Sequence, residues 1–307
     1  MKKFILAVSV VIFLLALQPA EAAFPERPIT IFNASTAGSP ADVAARQIAH
    51  HAEQHLGQPM VVVNRPGGGG GVMFAALLSE PTDGYTIGSV TAAQMAALQA
   101  QLEGQFSFDD FEFLANVQVD YFCFAVLTDS PFYTIDDVVE AIRGGEGVLI
   151  GGQGTGSALH LMTLQLGNLA GINFTWLPFQ GGADSVVNLL GGHVHVIATA
   201  PATVMQYVEA GQIRVIGVSG EERTHLFPDI KTLKEQGYDI VLTQYRGFIA
   251  RRGIPEEIRA QIVDAIYKAT QEPVLQEQGF IFMGPEEFTV YARGNFDRIG
   301  ELMELMP

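Results

Sequence analysis

Two glycine-rich segments of this sequence have the composition and spacing best suited to binding a ligand. The first is residues 64–71, NRPGGGGG, and the second is residues 151–157, GGQGTGS. Each lies between an apolar, strand-like run and a helix-like run, where backbone N–H groups and the positive end of a helix dipole can bind an anion without a charged side chain. Five consecutive glycines are more than a turn needs, and their entropic cost favours a close approach of the backbone to a ligand. The two segments therefore predict one anion bound from two sides.

Neither glycine segment fits a nucleotide-binding loop. No Lys-Ser/Thr pair follows residues 67–71, as a phosphate-binding loop requires, and Ser157 stands where the dinucleotide motif needs its third glycine. The remaining alternative is that either segment is only a tight turn between a strand and a helix.

The segment after the first predicted strand adds side-chain donors. Ser39 is a plausible N-cap for a helix that starts at Pro40, and Asp42 could bond back to that cap or pair with Arg46 four residues later. The hydroxyls of Ser35 and Thr36, and the N–H groups of Gly38 and Ser39, are better ligand candidates because they can donate to a carboxylate.

The histidines do not make a metal motif. His51 and His55 flank Glu53 in the order H-x-E-x-H, which differs from the zinc-protease H-E-x-x-H, and His193 and His195 alternate at the start of a predicted strand. Neither pair has a third ligand at motif spacing. We therefore predict no metal and no cofactor.

A hydrolase would need a nucleophile aligned with a base. Ser157 and His160 are three residues apart on one predicted helix, a spacing that seldom aligns the two groups, and no G-x-S-x-G motif surrounds any serine. We predict that the protein is not an enzyme. His160 still borders the proposed binding region.

The first 22 residues have the features of a secretory signal. Lys2 and Lys3 precede an apolar run at residues 4–17, and an A-x-A site ends at Ala22. The run is short for a membrane span. The prediction is a cleaved signal peptide at residues 1–22 and a periplasmic mature protein.

Charge and composition exclude several function classes. The formal charge is −16, and removal of Lys2, Lys3 and Glu21 with the signal makes it −17. So acidic a surface repels nucleic acid and anionic lipid. Cys123, the only cysteine, allows no internal disulfide, and its apolar neighbours predict a buried side chain.

Strand-like and helix-like runs alternate along the mature chain, which is typical of α/β proteins with largely parallel sheets. The predicted strands are residues 29–33, 60–63, 86–90, 148–151, 174–177, 194–199 and 213–218, and the clearest predicted helices are residues 40–56, 72–78, 92–102, 256–270 and 286–305.

The pattern predicts two lobes. Residues 23–120 with 248–307 would form lobe 1, closed by the C-terminal helices, and residues 121–247 would form lobe 2. Extended segments at residues 117–126 and 245–250 would cross between them. Ligands of open α/β sheets bind at the carboxyl ends of strands, so both glycine segments would face the cleft between the lobes.

Nine short motifs, in order over some two hundred residues, resemble one known family. They are FPERPI (24–29), AGSPAD (37–42) with Arg46, LGQP (56–59), NRPG (64–67), DGYT (83–86), GTGS (154–157), LLGGHV (189–194), GQIR (211–214) and TLKEQGY (232–238). The sequence is similar to the periplasmic receptors of tripartite tricarboxylate transporters, also called Bug-type receptors. The resemblance implies a type II periplasmic-binding-protein fold that closes on a small organic acid and delivers it to integral membrane permease subunits. A receptor that presents its closed form to a membrane signalling protein would have the same sequence features.

In that family the first-strand loop and the glycine loops hold the ligand carboxylate, often through ordered water. The loops and the resemblance together predict a ligand-binding set of Ser35, Thr36, Ala37, Gly38, Ser39, Asp42, Gly69, Gly70, Ser89, Gln153, Thr155, Gly156, Ser157, His160, Phe179, Gly181 and Thr199.

The sequence departs from the family pattern at four positions. Phe179 and Gln180 stand where Tyr-Lys is common, His195 where aspartate is frequent, and Ser39 where glycine is common. These changes leave the transport role intact and the ligand unidentified. Residues 64–73 and 245–247 look closer to the tricarboxylate-binding branch, which favours a di- or tricarboxylate ligand. We also predict that the receptor is a monomer.

Overall fold

The protein is built around two separate five-stranded sheets. The structure, a computed structural model, describes residues 24–303 except residues 101, 156 and 225. The predicted signal peptide and Gly156 lie outside these described residues. The strands are β1 (Ile29–Asn33), β2 (Met60–Asn64), β3 (Thr86–Thr91), β4 (Phe111–Tyr121), β5 (Cys123–Leu127), β6 (Leu149–Gln153), β7 (Thr175–Phe179), β8 (Val196–Thr199), β9 (Ile213–Val218) and β10 (Thr243–Arg251).

Ten α-helices flank the sheets within the described residues. They are α1 (Pro40–Leu56), α2 (Gly71–Ser79), α3 (Ala92–Ala100), α4 (Ile135–Arg143), α5 (Ala158–Ala170), α6 (Gly182–Leu190), α7 (Pro201–Glu209), α8 (Glu256–Thr270), α9 (Pro273–Glu277) and α10 (Pro285–Met303).

The first sheet has the strand order β2-β1-β3-β10-β4 and the second has the order β7-β6-β8-β5-β9. In the first sheet, β2, β1 and β3 are parallel and β10 is antiparallel to both neighbours. In the second sheet, β7, β6 and β8 are parallel and β5 is antiparallel to both of its neighbours. Each sheet with its helices forms one lobe, which confirms the predicted mixed, mainly parallel two-lobed α/β fold.

The helices pack on both faces of each sheet through apolar side chains that recur at regular spacing. On α1, Ala44, Ile48 and Ala52 recur every fourth residue and pack with α8 against the first sheet. Burial of a side chain such as Ile48 contributes about 2 kcal/mol. Cys123 is fully buried in the second lobe, as predicted, and burial raises the pKa of its thiol.

Two segments cross between the lobes. Only Phe122 separates β4 of the first sheet from β5 of the second, so the predicted crossing segment at residues 117–126 comprises the end of β4 and the start of β5. The second predicted crossing, at residues 245–250, lies instead inside β10 of the first sheet, and the chain returns between the lobes before β10 begins. The buried Ser219 joins the first crossing to the returning one, because its Oγ accepts from the Phe122 N–H at 2.9 Å and donates to the Leu242 carbonyl at 2.5 Å.

The C-terminal helix contributes to both lobes. Its first half buries Phe288 and Ala292 in the first lobe, whereas Ile299 and Leu302 pack in a hydrophobic cluster of the second lobe. No helix among the residues described is both long and apolar enough to cross a membrane.

Candidate functional site

The loop after β1 presents free backbone donors. Ser39 caps α1, since its Oγ accepts from the Asp42 N–H at 3.3 Å, which confirms the predicted cap. Thr36 and Ala37 are exposed, and no backbone acceptor of the described chain pairs with their N–H groups. These two N–H groups are therefore available to an anion.

Asp42 orders this loop. Its carboxylate is buried and accepts from the Gly38 N–H at 2.9 Å, from Arg46 Nε at 3.0 Å and from Asn64 Nδ2 at 2.7 Å. Burial alone would raise the pKa of Asp42, but these donors and the Arg46 charge lower it below its ordinary value. The carboxylate stays ionised with its charge compensated by the protein. Direct contact of Asp42 with a ligand stays a prediction.

Asn64 supports the same loop and is absent from the residues that the sequence predicted. Besides Asp42, its Nδ2 donates to the Ser35 carbonyl at 3.0 Å. Asn33 lies beside it in the parallel register, and Asn33 Oδ1 accepts from the Ser35 N–H at 2.7 Å. Asn33 and Asn64 each end one of two neighbouring strands. This pair of amide side chains at the carboxyl ends is the sequence signal that could have identified them.

The first glycine segment has a backbone that only glycine adopts readily. Four successive residues, Gly67 to Gly70, have positive φ angles of 125°, 54°, 60° and 104°. The Gly70 N–H donates to the Gly67 carbonyl at 3.0 Å, whereas no described backbone acceptor pairs with the N–H groups of Gly68 and Gly69. The unusual composition therefore produces a second set of free donors, directly before α2.

The second glycine segment is fixed to the neighbouring strand and helix. The Gly154 N–H donates to the Phe179 carbonyl at 3.0 Å, and Gly154 has a φ of +56°. Ser157 caps α5: its Oγ accepts from the His160 N–H at 3.3 Å and also contacts the carbonyl of Gln153. The Ser157 hydroxyl thus caps the helix, and its described contact with His160 is to the backbone N–H of that residue.

His160 is buried below the same loop. Its ring lies 4.9 Å from the ring of Trp176, and burial lowers the pKa of the imidazole. A lowered pKa keeps the ring neutral at pH 7. His160 therefore adds no fixed positive charge to the region.

The other predicted residues of the second lobe cluster around the ends of β7 and β8. Gly181 precedes α6 in an extended conformation, and a Cβ on Gly182 would lie 2.9 Å from Thr203 and 3.5 Å from the Thr199 hydroxyl. Thr199 is buried at the end of β8, as Ser89 is near the end of β3. The predicted residues that the structure describes thus collect at the carboxyl edge of each sheet.

Helix α3 connects the first-lobe loops to the second lobe. Gln94 Nε2 lies 3.5 Å from Ser35 Oγ, while Ala96 packs against the second lobe's hydrophobic cluster. His195, in contrast, lies at the amino end of β8, where its Nδ1 accepts from the Leu149 N–H at 3.0 Å. His195 is therefore at the edge of the second sheet opposite the loops.

Arg65, in the first glycine segment, is the only cationic side chain of these loops, and its guanidinium carbon lies 4.3 Å from the centre of the Phe32 ring. The sequence has no Lys or Arg between Arg65 and Arg143, nor between Arg143 and Arg214. Among the described residues, no group of three His, Cys, Asp or Glu side chains could hold a metal ion. Apart from Arg65, the groups that could bind an anion at these loops are N–H groups, hydroxyls and helix ends.

Two α/β lobes with donor-rich loops at their carboxyl edges define a two-lobed ligand-binding protein. The chain belongs to the tripartite tricarboxylate transporter receptor family, TctC, whose model matches residues 44–297. This confirms the family that the motifs predicted. Proteins of this family are periplasmic solute-binding receptors.

Individual relatives agree over most of the chain. A Cupriavidus necator protein described as "UPF0065 protein in gbd 5'region" is 34% identical over 270 residues, covering 86% of this chain and 81% of the relative. The crystal structure of a TctC solute-binding protein from Polaromonas is 27% identical, covers 92% of this chain and 100% of the other, and superimposes with a TM-score of 0.86. MatC from Rhodopseudomonas palustris, solved with bound malate, shares the fold at 21% identity and a TM-score of 0.70, over 91% of this chain and 99% of that one.

Proposed function

We propose that this protein captures a small organic acid, of the di- or tricarboxylate type, between its two lobes and delivers it to the permease subunits of a tripartite tricarboxylate-type transporter. The observation that carries the proposal is the set of free N–H groups at Thr36, Ala37, Gly68 and Gly69, in loops whose only Lys or Arg is Arg65. Such donors match a carboxylate better than a neutral sugar.

The expected affinity suits transport. About four hydrogen bonds to a charged group at roughly 2 kcal/mol each give about 8 kcal/mol, which corresponds to a micromolar dissociation constant. Binding of that strength captures a nutrient and still permits its release. The malate in MatC is an acid of the proposed class on the same fold.

Closure follows from the distribution of the donors. Each lobe alone would satisfy only part of a carboxylate's acceptor capacity, so contact with both sets of loops would favour a closed form. The lobes would be residues 23–120 with 248–307 and residues 121–247, except that all of β10, which pairs within the first sheet, would belong to the first lobe. The protein would be an exported monomer from which the signal peptide has been removed. The role involves no turnover of the bound acid.

The first test is thermal-shift screening of the purified mature protein against carboxylates, sugars and nucleotides. Binding to the folded state raises Tm by mass action, so at least one di- or tricarboxylate should stabilise the protein and sugars should not. An Ala37→Phe variant should lose the shift because the new ring covers the free N–H groups. Ala260→Phe, on the exposed surface of α8, is the matched control and should keep it. A protein that no acid stabilises would refute the proposal.

The partner is tested separately. Proteoliposomes containing the permease subunits should take up the acid only when the receptor is added. Uptake that is independent of the receptor, together with receptor-dependent activation of a membrane signalling protein, would indicate the sensor role instead.

A further inference from the structure

Gln94 is held in one orientation at the start of α3. Its Oε1 accepts from the Thr91 N–H at 2.7 Å and from the Thr91 hydroxyl at 2.5 Å. Because both donors point at the same oxygen, the amide nitrogen must face the other way. That nitrogen lies 3.5 Å from the Ser35 hydroxyl oxygen.

Ser35 is fixed through its backbone and keeps its hydroxyl proton. The Ser35 N–H donates to Asn33 Oδ1, and its carbonyl accepts from Asn64 Nδ2. A long contact from Gln94 to the hydroxyl oxygen still leaves the hydroxyl hydrogen and an amide hydrogen free to donate elsewhere. The pair therefore forms two adjacent donors on well-positioned residues.

The first glycine loop makes room for this pair. A Cβ on Gly70 would lie 3.0 Å from Gln94 Cγ and 3.1 Å from Gln94 Cβ, closer than ordinary contact. Glycine at position 70 thus lets the Gln94 side chain lie between the glycine loop and the loop after β1. All three carboxyl-end loops of the first lobe meet at this side chain.

We infer that Gln94 Nε2 and Ser35 Oγ act as a two-donor fork that binds one carboxylate group of the ligand, one oxygen to each donor. A separation of 3.5 Å between the donors can be bridged by the two oxygens of one carboxylate. The inference rests on the proposed function and assigns a specificity-determining side chain to the first lobe. A ligand without a carboxylate or a similar oxyanion offers no pair of charged oxygens to these two donors.

The decisive variants are Gln94→Glu and Gln94→Met. Glutamate keeps an oxygen for Thr91 but turns a carboxylate towards the ligand, so the dissociation constant of the best acid from the screen should rise about 100-fold. Methionine removes the donor without adding charge and should raise the constant about tenfold. A purely structural role for Gln94 predicts the reverse order, because only methionine loses the Thr91 hydrogen bonds.

Isothermal titration calorimetry measures the constants, and melting of the ligand-free proteins checks folding. Gln271→Glu, an exposed glutamine at the end of α8, adds the same charge far from the fork and should leave affinity unchanged. Should Gln94→Glu fail to fold, Ser35→Ala removes the other donor and should weaken binding about tenfold.

The outcomes separate the two proposals. If the wild type binds no acid, the proposed function is wrong. If it binds an acid and Gln94→Glu binds equally well, or if Ser35→Ala binds like the wild type, the function stands and the fork is refuted.

Discussion

Replacing Asp42 with Asn should destabilise the protein at neutral pH by about 2 kcal/mol. The amide introduced at this position cannot accept hydrogen bonds from Gly38, Arg46 and Asn64 together, because only one of its two polar atoms is an acceptor. At least one of the three contacts would therefore bring two hydrogen-bond donors together. A lost hydrogen bond to a buried charge costs about 1.5–3 kcal/mol. We take a middle value because Arg46 is half exposed and water screens its charge. The melting temperature should fall by about 4–8 °C.

The pH dependence of the stability difference between wild type and Asp42→Asn shows whether the ionised carboxylate causes it. The pKa of Asp42 in the folded protein is lower than its ordinary value, so the carboxylate stabilises the fold above that ordinary value. The stabilisation disappears as pH falls through the folded pKa. Asparagine does not titrate, and the gap between wild type and variant should therefore shrink between pH 7 and about pH 3.

Melting followed by calorimetry or circular dichroism at both pH values is the assay. Asp264→Asn is the control, since Asp264 pairs with Lys268 on the exposed surface of α8 and should contribute less than about 0.5 kcal/mol. An equal loss of stability at both pH values, or none at pH 7, would refute the view that an ionised Asp42 orders the loop after β1.

Two further predictions concern the second lobe. Ser157→Ala removes the cap of α5 and should lower the free energy of unfolding by about 1 kcal/mol, or Tm by about 2–4 °C. The control Ser79→Ala, at an exposed serine, should change Tm little. Equal Tm values for the two variants would contradict the capping role of Ser157. Cys123 is fully buried and burial raises its pKa, so a thiol reagent should label it only after denaturation; labelling of the native protein at the unfolded rate would contradict the packing.

The sequence predicted the elements well where local signals agree. Pro40 and Ser39 mark the start of α1, and Gly57, with a φ of 71°, ends it at the predicted residue. The predicted bounds of the other named strands and helices lie within two residues of those observed. In these elements the tertiary contacts agree with the local signals, which are β-branched runs between turn residues.

The crossing segments were harder to predict, since their form depends on pairing between distant residues. Residues 111–127 contain no Gly or Pro to mark a boundary, and only pairing with β10 on one side and with β8 and β9 on the other divides the segment at Phe122. The packing of Ile299 and Leu302 against the second lobe likewise has no local signal.

In the candidate site, too, local sequence signals were predictive and contacts between distant residues were not. Glycine composition predicted a loop whose backbone approaches a ligand closely, and the positive φ angles of Gly67 to Gly70 are a conformation that few other residues adopt. Gln94 and Asn64 escaped prediction because their importance arises from contacts 59 and 22 residues away, at Ser35 and Asp42. The ligand-binding roles of the predicted residues stay predictions.

A crystal structure of the mature protein with the best acid from the screen tests the central claim most directly. We predict a carboxylate within hydrogen-bond distance, directly or through one water, of the free N–H groups at residues 36–37 and 68–69, with the loop at residues 153–157 completing the site from the second lobe. A carboxylate paired instead with a Lys or Arg side chain, or bound away from these loops, would contradict the account.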